Sequence, residues 1–402
     1  MILQSVLNEI LAFQKERFSK REPGLKRDAL NTLPDLTSLA LIVTGIRGCG
    51  KSTLLFQHLK TKYPDALYLN FEDPRLFEFS PGDFERLDET ILGQGTQVLF
   101  FEKIQIIPEW ERYVRQKLDE GLKVVITSNC PTQLSKEVTT TLTGRHVTKE
   151  LFPFSYHEFC RFRKIKAGRE SLQAYLNTGG FPEYVKQGVP DILNQLFEDI
   201  LTRDIAVRYG IRDVKTLQRL AFYLLSNVGK PVTANRLRPL FDIGSTSTVM
   251  EYLSHLEYTY LLHFVPKFSY SVRKQLINPR KLYAIDTGLV NVSSGSFTED
   301  HGRKFENLVF LYLRGKFREL YYFSEKGECD FIVMQNHRFH EAVQVCTDLN
   351  RDNLDREVDG LVEALTFFKA DEGTIVTFDQ KDTIERNGKV IQVVPAYHYF
   401  QK

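Results

Sequence analysis

Residues 39–60 read LALIVTGIRGCGKSTLLFQHLK: an apolar run, a glycine-rich turn, then a helix-like stretch. The run is short and stops at a glycine, which suits a buried parallel strand. From Gly45 to Thr53 the spacing is G-x-x-x-x-G-K-[ST], lying between a strand pattern and a helix pattern as that motif requires. Glycines let the backbone curl until several N–H groups point at one phosphate, and the N-terminus of the next helix adds its dipole. The residues implicated are Gly45, Arg47, Gly48, Cys49, Gly50, Lys51, Ser52 and Thr53. Lys51 is placed to reach β- and γ-phosphates and Ser52 to ligand magnesium, so ATP and Mg are the expected cofactors. Cys49, inside the loop, reads as a small filler rather than a redox switch.

Outward from this loop, 66–71 (ALYLNF), 97–102 (QVLFFE) and 123–128 (KVVITS) repeat the short apolar pattern between polar, helix-like segments. That alternation predicts a doubly wound α/β sheet over about the first 155 residues. The opening 28 residues have no uninterrupted apolar region and read as an amphipathic helix with a basic connector, not a secretion signal. From about 156 the pattern turns helical. Residues 214–262 read as three helices with a turn, DIGS, before the third, and 263–286 as a β-ribbon. Two helices, a tight turn, a third helix and a ribbon are the order of a winged helix-turn-helix. Residues 286–402 alternate again and predict a second, smaller α/β unit.

A chain of 402 residues exceeds one ordinary core, so two to four domains are expected. With 42% hydrophobic and 12% aromatic residues it is a packed protein, not a disordered one. A net charge of +2 argues against a strongly electrostatic nucleic-acid binder. No apolar stretch is long enough to span a bilayer. Cys49, Cys130, Cys160, Cys329 and Cys346 are scattered and form no CxxC pair, so a reducing cytoplasm is expected rather than a disulfide framework or zinc site.

After the loop come, in order, YLNFEDPRL (68–76), FFEKIQIIPEW (100–110), VVITSNCPTQLSKEVTTTLTGR (124–145), LFPFSYHEF (151–159) and YLNTGGFPEYV (175–185). ILTRDIA (200–206), STVMEYLSHLEYTYLL (247–262), KLYAIDTGL (281–289), GRKFENLVFLYL (302–313) and ECDFIV (328–333) follow. Together these resemble a group of bacterial and archaeal AAA-type ATPases that join an AAA core to a winged helix and a C-terminal domain similar to PD-(D/E)xK nucleases. The resemblance implies an N-terminal helix and connector (1–34), an AAA-type P-loop core (35–155), a helical lid (156–212), a winged helix-turn-helix (213–285) and a restriction-endonuclease-like α/β domain (286–402).

It also implies site residues. The family's Asp-Glu pair at the end of the third strand falls on Glu102 and Lys103. Glu102 keeps a carboxylate for magnesium; Lys103 removes the usual general base, and its ammonium either lies near the γ-phosphate or points to solvent. Thr127, Ser128 and Asn129 resemble the site that senses the γ-phosphate, although polar residues are common at strand ends. Arg145 resembles an arginine finger, which would act in a neighbouring copy; a solvated arginine is the rival. Pro182, in GGFPE, resembles the lid proline that packs near adenine, or belongs to a plain interhelical loop. At the C-terminal end the nuclease positions become Glu306, Asp330, Gln344 and Cys346. Glutamine is a poor magnesium ligand and cysteine cannot replace a lysine cation, so a degenerate, inactive site is expected.

The third helix of the 214–262 segment carries Glu251 and Glu257 and no lysine or arginine, whereas base readout usually uses arginine, lysine or asparagine. Lys267, Arg273, Lys274, Arg280 and Lys281 in the ribbon suit phosphate contacts without sequence specificity. DNA, a protein partner and a second copy of the chain all stay open as partners; no membrane is expected. The leading functional expectation is an ATP-binding switch with slow or absent hydrolysis. Its rivals are an ATP-dependent DNA-acting enzyme with a surviving nuclease, and a scaffold that uses nucleotide only structurally.

Overall fold

A computed structural model describes residues 1–129, 142–293 and 301–401. The chain divides into two compact units, 1–152 and 153–402. Cys130 and most of the loop before Arg145 lie outside the described residues.

The first unit is built on five parallel strands: β1 (Ala40–Thr44), β2 (Leu67–Asn70), β3 (Val98–Glu102), β4 (Lys123–Ser128) and β5 (His146–Glu150). Their order across the sheet is β2-β3-β4-β1-β5. The chain leaves β1 for the far edge, returns through β3 and β4, and ends on the other side of β1. Helices α1 (Gln4–Lys20), α2 (Lys51–Lys62), α3 (Phe84–Gln94) and α4 (Trp110–Asp119) complete this unit. β1 is buried along its whole length and β3 as far as Phe101, which is why both read as continuous apolar runs rather than alternating ones. β5, HVTKE, is an edge strand with one neighbour, and its polar sequence carries no such run.

The other edge, β2, is closed by a side chain. Gln14 on α1 accepts a hydrogen bond from the Asn70 N–H (2.7 Å) and donates to the Asn70 carbonyl (3.2 Å), so an amide stands in for a missing strand. Leu7, Ile10 and Leu11 of the same helix join Leu69, Phe101 and Trp110 in one buried cluster.

In the second unit, helices Tyr156–Arg163, Arg169–Thr178, Pro182–Gln187 and Asp191–Asp199 come first, and a π-helical stretch, Ile200–Val207, continues the last of them. Helices Val214–Leu225, Ala234–Leu240 and Thr246–Tyr258 occupy the segment read as three helices. Strands β6 (Pro231–Val232), β7 (Leu262–Pro266) and β8 (Arg280–Ala284) form a small antiparallel sheet ordered β6-β8-β7. The expected ribbon is therefore present as β7 and β8, with an unexpected helix, Val272–Ile277, at its tip.

The rest is a six-stranded mixed sheet: β9 (Glu319–Ser324), β10 (Glu328–Gln335), β11 (Arg338–Val345), β12 (Glu372–Thr377), β13 (Asp382–Arg386) and β14 (Lys389–Pro395), ordered β13-β14-β12-β11-β10-β9. Helix Leu354–Phe368 packs Val358, Leu361, Ala364 and Leu365 onto it. β9 and β13 have no counterpart in the sequence reading.

Phe101 lies at the heart of the first unit, fully buried on β3 between β2 and β4. Phe101→Ala is expected to destabilise this unit by about 3–5 kcal/mol. The only tryptophan, Trp110, is buried in the same cluster and reports the transition in a urea titration. A loss below about 1 kcal/mol would contradict this packing.

Candidate nucleotide site

β1 delivers the chain into the loop 45–53, where Gly48 (φ 80°) and Gly50 (φ 98°) take left-handed conformations that a side chain disfavours. The curl folds the Lys51 ammonium back onto the carbonyls of Gly45 and Ile46, each at 2.8 Å. Lys51 is buried and Arg47 half-buried. Two basic residues that the sequence reading passed over hold the loop from outside. Buried Arg27 donates to the Cys49 carbonyl (2.7 Å) and the Phe152 carbonyl (2.8 Å). Arg21 donates to the Thr53 hydroxyl at 3.0 Å. Neither belongs to a periodic pattern, and only their position in the basic connector could have flagged them.

Across the sheet, the Ser52 hydroxyl donates to Glu102 Oε1. Glu102 Oε2 accepts from the Tyr68 hydroxyl at 2.7 Å. Burial, and then the adjacent Glu102 charge, push the Tyr68 phenol far above its ordinary range, so it stays a donor. The two residues expected to hold magnesium are thus already in contact.

Lys103 does not run out into solvent. Its backbone is left-handed (φ 62°), unusual for a residue with a side chain, and its ammonium, 14% exposed, sits 3.3 Å from Glu72. Glu72 follows β2 as Lys103 follows β3, so the acid missing at position 103 has a carboxylate one strand over.

At the end of β4, Thr127, Ser128 and Asn129 are all buried. Thr127 stands opposite Glu102 in register, and among the described residues its hydroxyl has no hydrogen-bond partner. An orphaned buried hydroxyl beside the Glu102 carboxylate, together with the curled loop and its lysine, fits a site made for a phosphate and its cation. Arg145 is partly exposed and pairs with Asp119 at 2.9 Å.

In the second unit, Glu306, Asp330 and Gln344 do come together, but not alone. Lys281 inserts its ammonium among Glu328 (2.6 Å), Asp330 (2.8 Å) and Glu306 (3.3 Å). Gln344 donates to Glu357 (2.6 Å) and accepts from the Asp330 N–H (3.1 Å). Cys346 has its thiol 3.3 Å from the Asp348 carbonyl; burial, and then the nearby Glu357 charge, push that thiol up to about 11. Lys281 was read as a surface cation of the ribbon; being 3% exposed, it offers DNA nothing. Pro182 opens the helix Pro182–Gln187, where its fixed φ suits the first helical position.

A family model described as an AAA domain matches residues 37–160, and a second, described as a domain of unknown function (DUF8612), matches 169–300. An uncharacterized protein of Methanocaldococcus jannaschii is 30% identical over 432 residues, covering 99% of this chain and 96% of that one. The chain belongs to that protein's family. Its first unit is an AAA-type P-loop domain, and the parallel α/β sheet described above is the fold of such domains. An uncharacterized protein of Haemophilus influenzae is 27% identical over 301 residues, covering 69% of this chain and 74% of that one. Among solved structures the chain is similar to the ORC2 protein of Aeropyrum pernix in ADPNP–ADP complexes, with 12% identity and a TM-score of 0.39, covering 70% of this chain and 92% of that one. A likeness of that size carries no argument. Among the described residues of this AAA-domain protein, no helix is long and apolar enough to cross a membrane.

One further acid organises the second unit. Asp286 accepts from the Gly180 N–H (2.6 Å) and the Leu289 N–H (3.1 Å), tying the GGFPE turn to the segment after β8. Gly179 is left-handed (φ +73°), and a Cβ there would fall 2.2 Å from the Asp286 carboxylate. Burial pushes Asp286 up to about 7 from 3.8, outweighing the N–H donors that favour its charge. A folded-state value above the unfolded one gives stability that is complete below the unfolded value and lost as pH rises through the folded one. The stability difference between wild type and Asp286→Ala should therefore shrink by up to about 4 kcal/mol between pH 4 and pH 7. Denaturant titrations of both proteins at several pH values test this; a constant difference would refute it.

Proposed function

We propose that this AAA-domain protein is a nucleotide-dependent switch that holds ATP and turns it over slowly. The observation that carries the proposal is the pairing of Ser52 with Glu102 while Lys103 is drawn off to Glu72. Lys51, now resting on two carbonyls, would exchange them for β- and γ-phosphate oxygens. Ser52 and Glu102 would hold magnesium, whose bound charge offsets that of the phosphates. Thr127, Ser128 and Asn129 line the strand end beside them. The position next to Glu102 bears an ammonium, which has no lone pair for a proton, so the attacking water lacks its base. Among the described residues Arg145 is paired with Asp119 in an exposed ion pair, an interaction of little worth, which suits a finger serving a neighbouring copy.

For the second unit we read residues 213–285 as a winged helix-turn-helix and 286–402 as nuclease-like with cutting lost. Helix Thr246–Tyr258 brings no lysine or arginine, which supports contact with protein or phosphate over readout of bases.

Lys51→Ala is expected to abolish stabilisation by ATP, about 2.7 kcal/mol in wild type at a hundred times the dissociation constant. An unchanged melting shift in the variant would sink the nucleotide assignment.

Turnover separates switch from motor. Lys103→Glu should raise steady-state hydrolysis by about 10²-fold, the lower end of what a general base contributes, without tightening ATP binding. If wild type instead hydrolyses ATP briskly, Lys103→Glu changes nothing and Glu102→Gln abolishes turnover, then Glu102 orients the water and the switch reading fails.

A further inference from the structure

A nuclease-like domain implies a divalent ion between its carboxylates, and the side chains of the second unit do not fit one. Lys281 leaves β8 with its side chain 3% exposed and ends between three acids. An ammonium has three N–H donors, and Glu328, Asp330 and Glu306 stand at 2.6, 2.8 and 3.3 Å from its nitrogen. Burial alone would lower the ammonium's proton affinity, but the Asp330, Glu306 and Glu328 charges and Tyr283 hold it well above the ordinary lysine range, so the cation persists.

Two of the acids take further donors. Asp330 Oδ2 accepts from the Val345 N–H at 3.0 Å. Glu306 Oε1 accepts from the hydroxyl of Tyr283, which shares a face of β8 with Lys281, at 2.6 Å. Gln344, standing where an acid ligand belongs, brings no charge; its amide bridges the Asp330 N–H to Glu357, and Glu357 is held in turn by Arg356 at 2.5 Å. A divalent ion needs several free oxygens converging at about 2.0–2.6 Å. Here the point where they converge is taken.

We propose that the Lys281 ammonium is the resident cation of this carboxylate hub, standing where a divalent ion would sit and making the hub independent of metal. It works as a fastening. Lys281 and Tyr283 on the small sheet grip Glu306 on helix His301–Lys316, while Lys281 also grips Asp330 and Glu328 on β10 of the large sheet. The proposal does not depend on nucleotide binding by the first unit.

The test uses the full chain without nucleotide and manganese as the probe, with bound manganese counted from the loss of the free-ion EPR signal. Wild type and Asp330→Asn should bind the same amount, because any ion held at Ser52 and Glu102 is common to both. Lys281→Ala should melt several degrees lower and gain about one manganese ion per chain. That gain should disappear in Lys281→Ala/Asp330→Asn, and manganese should recover part of the lost melting temperature of the single variant only. A manganese ion lost from wild type on Asp330→Asn would overturn the proposal, and this comparison stands even if Lys281→Ala does not fold. Lys281→Ala without a manganese gain, whether or not it melts lower, would overturn it too.

Discussion

The parallel register of three strands is the constraint on which the first unit depends. β1 pairs with β4 so that Thr44 faces Ser128, and β4 pairs with β3 so that Thr127 faces Glu102. Strands running the same way release their loops at the same edge, so a phosphate loop, an acid and a row of polar strand ends meet without further design. A slip of one residue in β3 would turn Glu102 to the opposite face and part it from Ser52. The apolar runs of β1, β3 and β4, buried against helices, are what forbid the slip.

The two units treat charge in opposite ways. In the first, Lys51 rests on carbonyls, Lys103 on an exposed glutamate and Arg145 on an exposed aspartate. The two ion pairs reach solvent, where such contacts are worth little. In the second unit Lys281, Asp330 and Asp286 are buried, each with several partners. Removing an acid from around Lys281 leaves a buried ammonium short of its counter-charge, a costly change.

Much of this was legible in the sequence. The loop 45–53, four of the five strands of the first sheet and the three helices of 214–262 follow from apolar period and turn residues, because those signals act over neighbouring positions. What escaped is contact between distant residues. Arg27 reaches Phe152, and Gln14 finishes the edge at Asn70, with no spacing to announce either. Lys281 looked like one more ribbon cation because adjacent strand residues face opposite ways: Arg280 is half-exposed while its neighbour is buried. Glu306, Asp330 and Gln344, read from separate segments, do lie together. The sequence reading missed Glu357 and Lys281, which come from other elements.

The grip of α1 and Arg27 on the sheet bears on where this domain begins as a physical object. The AAA family match starts at residue 37, after both. A fragment cut at that boundary would lose the amide that seals β2 at Asn70, uncover Leu69 and Phe101, and free the carbonyls of Cys49 and Phe152. It would present an open strand edge flanked by bare apolar surface, the template on which chains stack into aggregates. The AAA match and the folded unit thus have different borders, and the first 36 residues belong to the folded unit.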